Sequence, residues 1–418
     1  MDYRKKTVFA STAGLALEGM DIMFISFAMS MMVTDFGISL AQGGLISSVT
    51  NWGMLLGGII FGILADKFGR VLVFTYTIIL FAVGTALTAI APNIETVYFF
   101  RFIAGLGAGG EYGIGMALVA EAWPKKWRGR VSSYVSIGGQ IGVILAALLS
   151  AIILPTLGWR PLFFIGILPV ILAFYLRRNL AESPEWLEAQ KNKRNNKLEA
   201  TKSNPLLQLI NTPKMAFTTI AITIMATVQV AGYNGLMVWL PSMLQQSHGF
   251  SVSGSAIWTI STIIGMIVGM LTFGIFMDRF GTKITYGLFL ISSGIAVFLY
   301  SFASSSITLL IGGAIVGFFA NGMYAGYGAL ISNLYPTEIR STATNTIFNL
   351  GRAVGGFSPI FVGFILQSYN MTIVMIYLAS LYCISLLMVL SLRDNRKKKE
   401  GKYIIDYEKA GLENDYSS

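Results

Sequence analysis

Twelve apolar stretches, most of them long enough to cross a bilayer, dominate this 418-residue chain. A hydrocarbon core about 30 Å thick takes roughly 20 helical residues to span. Positions 8–33, 43–65, 71–91, 97–120, 131–154 and 162–176 supply six such runs, and 215–240, 256–277, 284–303, 307–334, 342–366 and 372–392 supply six more. Lipid offers no partner to backbone N–H and C=O groups, and these runs lack the period-two alternation of barrel strands. With 54% hydrophobic and only 12% charged residues, the chain has too little polar surface for a soluble protein of this length. The expected fold class is an all-α membrane protein with twelve transmembrane helices.

The net charge of +10 raises the question of nucleic acid, but its placement argues against that partner. Arg4, Lys5 and Lys6 precede span one. Lys67 and Arg70, then Lys125, Lys126, Arg128 and Arg130, follow spans two and four. Lys191, Lys193, Arg194 and Lys197 follow span six, and Arg279, Lys283 and Arg340 follow spans eight and ten. The alternate loops hold only Arg160 as a basic residue. This is the positive-inside pattern of a multi-pass protein in the cell membrane with both termini cytoplasmic, its bulk partner the lipid bilayer. The first apolar run carries two acids and no clear small-residue cleavage site, so no cleavable signal peptide is expected. A lone Cys383 in the last span reads as packing, and a lone His248 has no companions for a metal site. Gly105, Gly107 and Gly110 spell GxGxxG but follow no strand, and no GxxxxGK[ST] occurs, so nucleotide binding is not expected.

Residues 177–214 break the apolar rhythm with a charged stretch containing KNKRNNK. They read as a cytoplasmic linker between an N-terminal six-helix half, 1–176, and a C-terminal half, 215–392, followed by a solvated tail, 393–418. The halves repeat in one register. Asp66 and Asp278, Gly69 and Gly281, Gly105 and Gly317, Pro124 and Pro336, and Arg128 and Arg340 all stand 212 positions apart. Two parallel repeats of six spans suit a transporter whose halves rock about a central site.

On these motifs the chain resembles the major facilitator superfamily over nearly its whole length. GILADKFGR, with Asp66, Gly69 and Arg70, is similar to the superfamily's signature between helices two and three, although Val71 falls where a second basic residue is common. RFIAGLGAG, with Arg101, resembles the proton-linked motif of span four. Gly110-Glu111-Tyr112 followed by Glu121, Pro124 and Arg128 resembles metabolite:proton symporters of the sialate and monocarboxylate branch. LEGMD around Asp21 is similar to the acidic motif of aromatic-acid and sugar symporters. Glu182-Ser183-Pro184-Glu185-Trp186-Leu187, Trp159-Arg160, Gln140, Gln229 and Asn234 resemble sugar-porter signatures. No tryptophan lies between Gly312 and Pro336, where hexose carriers stack one on the sugar, and the span-five GP motif of drug antiporters is missing. The resemblance implies a monomeric secondary carrier, not an enzyme, that needs no cofactor beyond the proton gradient. It also implies alternating access and proton-coupled uptake of a small organic acid. A sugar or polyol porter, an efflux antiporter and a transport-dead sensor stand as alternatives.

The residues themselves point to coupling chemistry. Glu18 and Asp21 lie one helical turn apart with no basic residue nearby in their span, and carboxylates at that depth are costly to keep. Burial favours their neutral form and a facing arginine their charged form, so alternation between the two would load and unload a proton. The resembling symporters place an arginine where Arg101 stands, so Asp21 with Arg101 is the expected coupling pair. Glu18 and Glu111 are further proton-site candidates. Glu111 is turned some 80° from Arg101 and need not pair with it. Arg352 shares a helical stripe with Asn345 and Asn349, and its planar fork suits a substrate carboxylate or an acid such as Glu18 or Glu111. Gln140, Gln229 and Asn234 would add neutral hydrogen bonds to substrate, and Tyr112, Tyr233, Tyr324 and Tyr327 an aromatic lining. Asp66, Arg70, Arg128, Asp278, Arg279 and Arg340 sit at cytoplasmic helix ends, where opposite charges could hold the inner side closed.

Overall fold

The computed structural model describes residues 3–195, 205–248 and 252–392 apart from positions 304, 359–360, 363, 366–368 and 370; the tail 393–418 and part of the KNKRNNK run lie outside the described residues. The described residues form helices joined by short turns, with no strand among them. Among the described residues, ten helices are long and apolar enough to cross a membrane. The described parts of the sixth and eleventh spans are shorter.

Span six is split into Trp159–Phe164, a 3-10 turn Ile165–Ile167 and Pro169–Asn179. Pro169 stands at the first position of its helix, where its missing N–H costs nothing, and Leu168 before it keeps helical dihedrals. Span eleven begins with Arg340–Gly355, whose sequence carries Arg340, Asn345, Asn349 and Arg352 and therefore has no lipid-like composition. Span ten is long enough but irregular: Ser306–Val316 passes through a π turn at Gly317–Asn321 and a 3-10 turn at Met323–Gly326 before Tyr327–Leu334. Such interruptions concentrate where a helix must re-aim side chains.

Helix starts follow ordinary capping chemistry. Ser39 and Gln42 form a capping box ahead of Leu40–Phe68, Asn93 caps Ile94–Ala122, and Ser305 with Thr308 caps Ser306–Val316. The sharp turns between spans two and three and between spans eight and nine use Gly69 and Gly281 at φ 119° and 89°, which favour glycine.

Packing repeats in the same register as the motifs. Span two, Leu40–Phe68, lies against span four, Ile94–Ala122, with Gly57 so close that a methyl group there would strike the Leu106 carbonyl. In the second half Gly269, 212 positions on, meets the Phe318 carbonyl of span ten in the same way. Backbone contact of this kind is how helices associate in lipid, where apolar side chains gain little by leaving the solvent. Span one, Tyr3–Phe36, packs on span five, Arg128–Leu157, with Gly19 set against the Gly139 carbonyl. Most large apolar side chains not in these seams face outward, among them Ile152, Phe174, Ile284 and Leu387. Cys383 is also on that outward face.

Candidate functional site

Two arginine–carboxylate pairs occupy the middle of the bundle. Asp21 receives a two-pronged contact from Arg101, Nη1 to Oδ1 at 2.9 Å and Nη2 to Oδ2 at 2.5 Å. The Thr85 hydroxyl also donates to Asp21 Oδ1 at 2.9 Å, and Arg101 Nη1 reaches Thr85 Oγ1 at 3.3 Å. Both ionic side chains are buried, with the Phe163 ring 5.8 Å from the guanidinium carbon. Removing one partner of such a pair strands the other, at a cost of about 3–5 kcal/mol. This pair lies wholly within the first half.

The second pair crosses between halves. Arg352 Nη1 donates to Glu18 Oε1 at 2.8 Å. Of the two acids expected to face Arg352, Glu18 is therefore the one that does. The guanidinium lies 5.4 Å from the Phe348 ring centre. Phe348 stacks on Tyr112 at 4.2 Å between centroids, with Tyr324 set 5.7 Å from Tyr112. These rings make an aromatic floor beside the ion pair, contributed by both halves.

Glu111 is fully buried on span four, and neither carboxylate oxygen has a hydrogen-bond partner. It faces span one at Gly14, where an added methyl would lie 3.4 Å from its Oε2. As expected from the helical angle, it does not pair with Arg101.

Asn345 and Asn349 depart from the expectation of a substrate-facing stripe with Arg352. The Gly113 N–H donates to Asn345 Oδ1 at 2.8 Å, and Asn345 Nδ2 donates to the Gly110 carbonyl at 3.3 Å. Asn349 Nδ2 donates to the Gly109 carbonyl at 2.9 Å. Their amides are thus committed to the backbone of span four, because the glycines there admit span eleven close enough for contact. Gln229 is likewise committed, donating to the Ala320 carbonyl at 2.8 Å and to Asn321 Oδ1 at 3.1 Å. Gln140 is buried with its Oε1 unpartnered, and Asn234 is half-buried in the same span as Gln229.

At the end of the bundle that carries the linker, ionic contacts tie the halves together. Asp66 pairs with Arg70 at 2.6 Å and accepts from the N–H groups of Ser341 and Thr342 at 3.2 and 2.7 Å and from the Thr342 hydroxyl at 2.6 Å. Asp278 accepts from the N–H groups of Gly129 and Arg130 at 2.8 and 3.0 Å. Each acid therefore caps the first turn of a helix in the other half, where N–H groups lack intrahelical partners. Arg70 also binds Glu121 at 3.2 Å and the Thr337 carbonyl at 2.6 Å. Arg340 binds Glu121 at 3.2 Å.

The linker joins this network. Its helix Pro184–Asn195 presents Glu185, which contacts Arg128 at 3.2 Å and Arg340 at 3.0 Å. Glu182 accepts from the N–H groups of Arg70 and Val71 at 2.8 and 3.1 Å. Val71, standing where a second basic residue is common, contributes through its backbone N–H. Arg279 falls outside the network: it is exposed and lies over the Phe280 ring, while the cation beside Asp278 is Arg130 at 3.5 Å. One residue along a helix turns a side chain about 100°, enough to carry Arg279 away from the seam. At the far end, Arg160 and Trp159 both donate to Asp35, and the Arg160 hydrogen bond holds the Asp35 carboxyl below the usual carboxylate range.

The sequence profile described as the Major Facilitator Superfamily matches residues 12–272 and 222–406. The chain belongs to the Major Facilitator Superfamily. Its members are carriers, so this chain is a membrane transporter and not an enzyme. It is 41% identical over 397 residues to a metabolite transport protein of Haemophilus influenzae, covering 95% of this chain and 98% of that one. It is 31% identical over 372 residues to the sialic acid transporter NanX of Escherichia coli, covering 88% and 89%. The proton:xylose symporter XylE shares the fold at a TM-score of 0.74 and 18% identity, covering 93% of this chain and 95% of that one.

Within this superfamily member several site residues were not picked out from sequence. Glu121, Glu182 and Glu185 stood in recognisable motifs but only as signatures, because a single sequence does not say which distant arginine an acid meets. Thr85 had no signal at all, since a threonine in an apolar span reads as filler until its neighbour across the helix seam is known.

Proposed function

We propose that the chain imports a small carboxylated metabolite together with one or more protons across the cell membrane by alternating access. The linker end, both termini and the tail face the cytoplasm in this reading, with 1–176 and 215–392 as the moving halves and 177–214 as their strap. The observation that carries it is the pair of central ion pairs with different connectivity. Asp21 and Arg101 belong to one half, so they can keep one geometry throughout a cycle and tune a proton site. Glu18 and Arg352 belong to different halves, so their contact must change when the halves rock.

In this reading Asp21, Arg101, Glu18 and Glu111 handle the proton, and Arg352 takes the substrate carboxylate. Asn345 and Asn349 hold span eleven against the span-four backbone beside that site. Gln140, Gln229 and Asn234 offer neutral hydrogen bonds once the cavity opens. Asp66, Arg70, Arg128, Asp278 and Arg340, with Glu121 and Glu185, form the inner gate. Relatives named for sialic acid, niacin, cis,cis-muconate and benzoate transport support the acid reading, because all four compounds carry a carboxylate. The stacked Tyr112 and Phe348 rings, with Tyr324 tilted beside them, give an aromatic wall next to Arg352 that suits the body of such an acid.

The test is uptake by the purified protein in liposomes, with sialate, nicotinate, benzoate and a neutral sugar offered under an imposed proton gradient. Accumulation of an acid and not the sugar is expected. Asp21→Asn abolishes uphill accumulation while sparing counterflow exchange, and Arg352→Lys weakens acid binding because the planar fork is lost. Sugar uptake that survives Arg352→Gln refutes the reading.

A further inference from the structure

We propose that Glu18 occupies the position of the substrate's own carboxylate on Arg352, so that an arriving anion displaces it and obliges it to accept a proton. This rests on the carboxylate reading above and adds to it the site and the origin of one coupled proton.

The geometry is that of a competitor already seated. Glu18 Oε1 accepts from Arg352 Nη1 at 2.8 Å, and its side chain is only 5% exposed while that of Arg352 is 19% exposed. The Arg352 side chain is thus the less enclosed of the two, with the Phe348 ring 5.4 Å from its guanidinium. One guanidinium neutralises one carboxylate. A second carboxylate in the same apolar space would be an unpaired buried charge, which costs more than binding a proton does.

No other group near Glu18 is placed to relieve it. On its own helix, Asp21 is saturated by Arg101 and Thr85. Span four offers Glu111, itself an acid without a partner, and Tyr112. Span ten offers Tyr324, an uncharged phenol packed on Phe348. Span two brings Met54, whose sulfur lies 3.5 Å from Arg352 Nη1. Span five approaches through Gly139 and Gly142, in a stretch without an ionisable residue. Among the described residues, Arg352 is the cation in contact with Glu18, while Arg101 on span four is held by Asp21.

The exchange balances without further reactants. The incoming anion forms hydrogen bonds to Arg352 as the Glu18 bond breaks, and a proton from the water-filled side adds to the released carboxylate. When the anion departs on the other side, Arg352 takes Glu18 back and the proton leaves with the substrate. Charge moves as a neutral pair, which ties the proton to the cargo and not to the empty carrier.

The experiment is calorimetric titration of full-length protein in nanodiscs with sodium nicotinate, benzoate, sialate and cis,cis-muconate. Each titration is repeated in two buffers of different ionisation enthalpy, so that bound protons are counted. Wild type is expected to take up about one proton per anion bound. Glu18→Gln is expected to bind the anion with no proton uptake and about tenfold more tightly, its competitor being gone. Glu18→Asp, which keeps a titratable competitor, retains the uptake and guards against a folding artefact. Proton uptake unchanged in Glu18→Gln, or lost in Glu111→Gln while kept in Glu18→Gln, overturns the inference and leaves the carboxylate reading standing. If none of the four acids binds folded wild type or Glu18→Gln, the carboxylate reading fails and this inference fails with it.

Discussion

Asp66→Asn isolates what one buried acid contributes to keeping the linker end shut. Its carboxylate takes three hydrogen bonds from the opposite half, two from the N–H groups of Ser341 and Thr342 and one from the Thr342 hydroxyl. Charge-assisted bonds of this kind are worth about 1.5–3 kcal/mol each. Asparagine keeps one acceptor oxygen and presents an NH2 where the second stood, so roughly half the cross-half bonding goes, together with the charge facing the helix N-terminus. The loss is about 2–4 kcal/mol, or roughly 30- to 700-fold in the balance between closed and open linker ends. Spin labels on Lys126→Cys and Glu338→Cys, exposed on opposite halves, report that balance as a distance distribution in a Cys383→Ser background. A shift of population to longer distances is expected in Asp66→Asn. An unchanged distribution would refute the claim that this acid holds the halves together.

The remaining predictions concern other parts of the same scaffold. Asp278→Asn removes a cap with two backbone donors instead of three cross-half bonds, so it opens the linker end in the same assay by a smaller factor, about 1–2 kcal/mol. Gly57→Val forces a side chain onto the Leu106 carbonyl and lowers stability by about 1–3 kcal/mol, read as a lower melting temperature and a broader size-exclusion peak; Gly269→Val does the same against Phe318. Asp35→Asn lowers the melting temperature slightly at neutral pH. Because Arg160 depresses the folded Asp35 carboxyl, that stabilisation is present above the ordinary carboxylate range and fades as pH falls through the lowered value. The gap between mutant and wild type therefore closes in acid, and a gap that persists there refutes the ion-pair explanation.

Much of this architecture was legible because lipid imposes simple rules. Span count and the repeat follow from apolar run length and from fixed spacing between Asp66 and Asp278, both of which are local properties of the chain. The pairing of Asp21 with Arg101 was legible through motif likeness. What stayed hidden were choices made across seams between helices. Asn345 and Asn349 share a helical stripe with Arg352, yet their amides bind the glycine-rich backbone of span four, and only the closeness of that approach decides the matter. Arg279 neighbours Asp278 in sequence, but a turn of one residue hands the ionic role to Arg130. Span six passes through a 3-10 turn at Ile165–Ile167, which the apolar run alone does not announce.

The crossed caps carry a further implication. Asp66 reaches positions 341 and 342, and Asp278 reaches 129 and 130, so subtracting the repeat length turns either contact into the other. Reciprocity of this sort is what a two-fold homodimer displays, residue i meeting j while j meets i. The seam through the middle of this transporter therefore has the grammar of a subunit interface, written within one polypeptide.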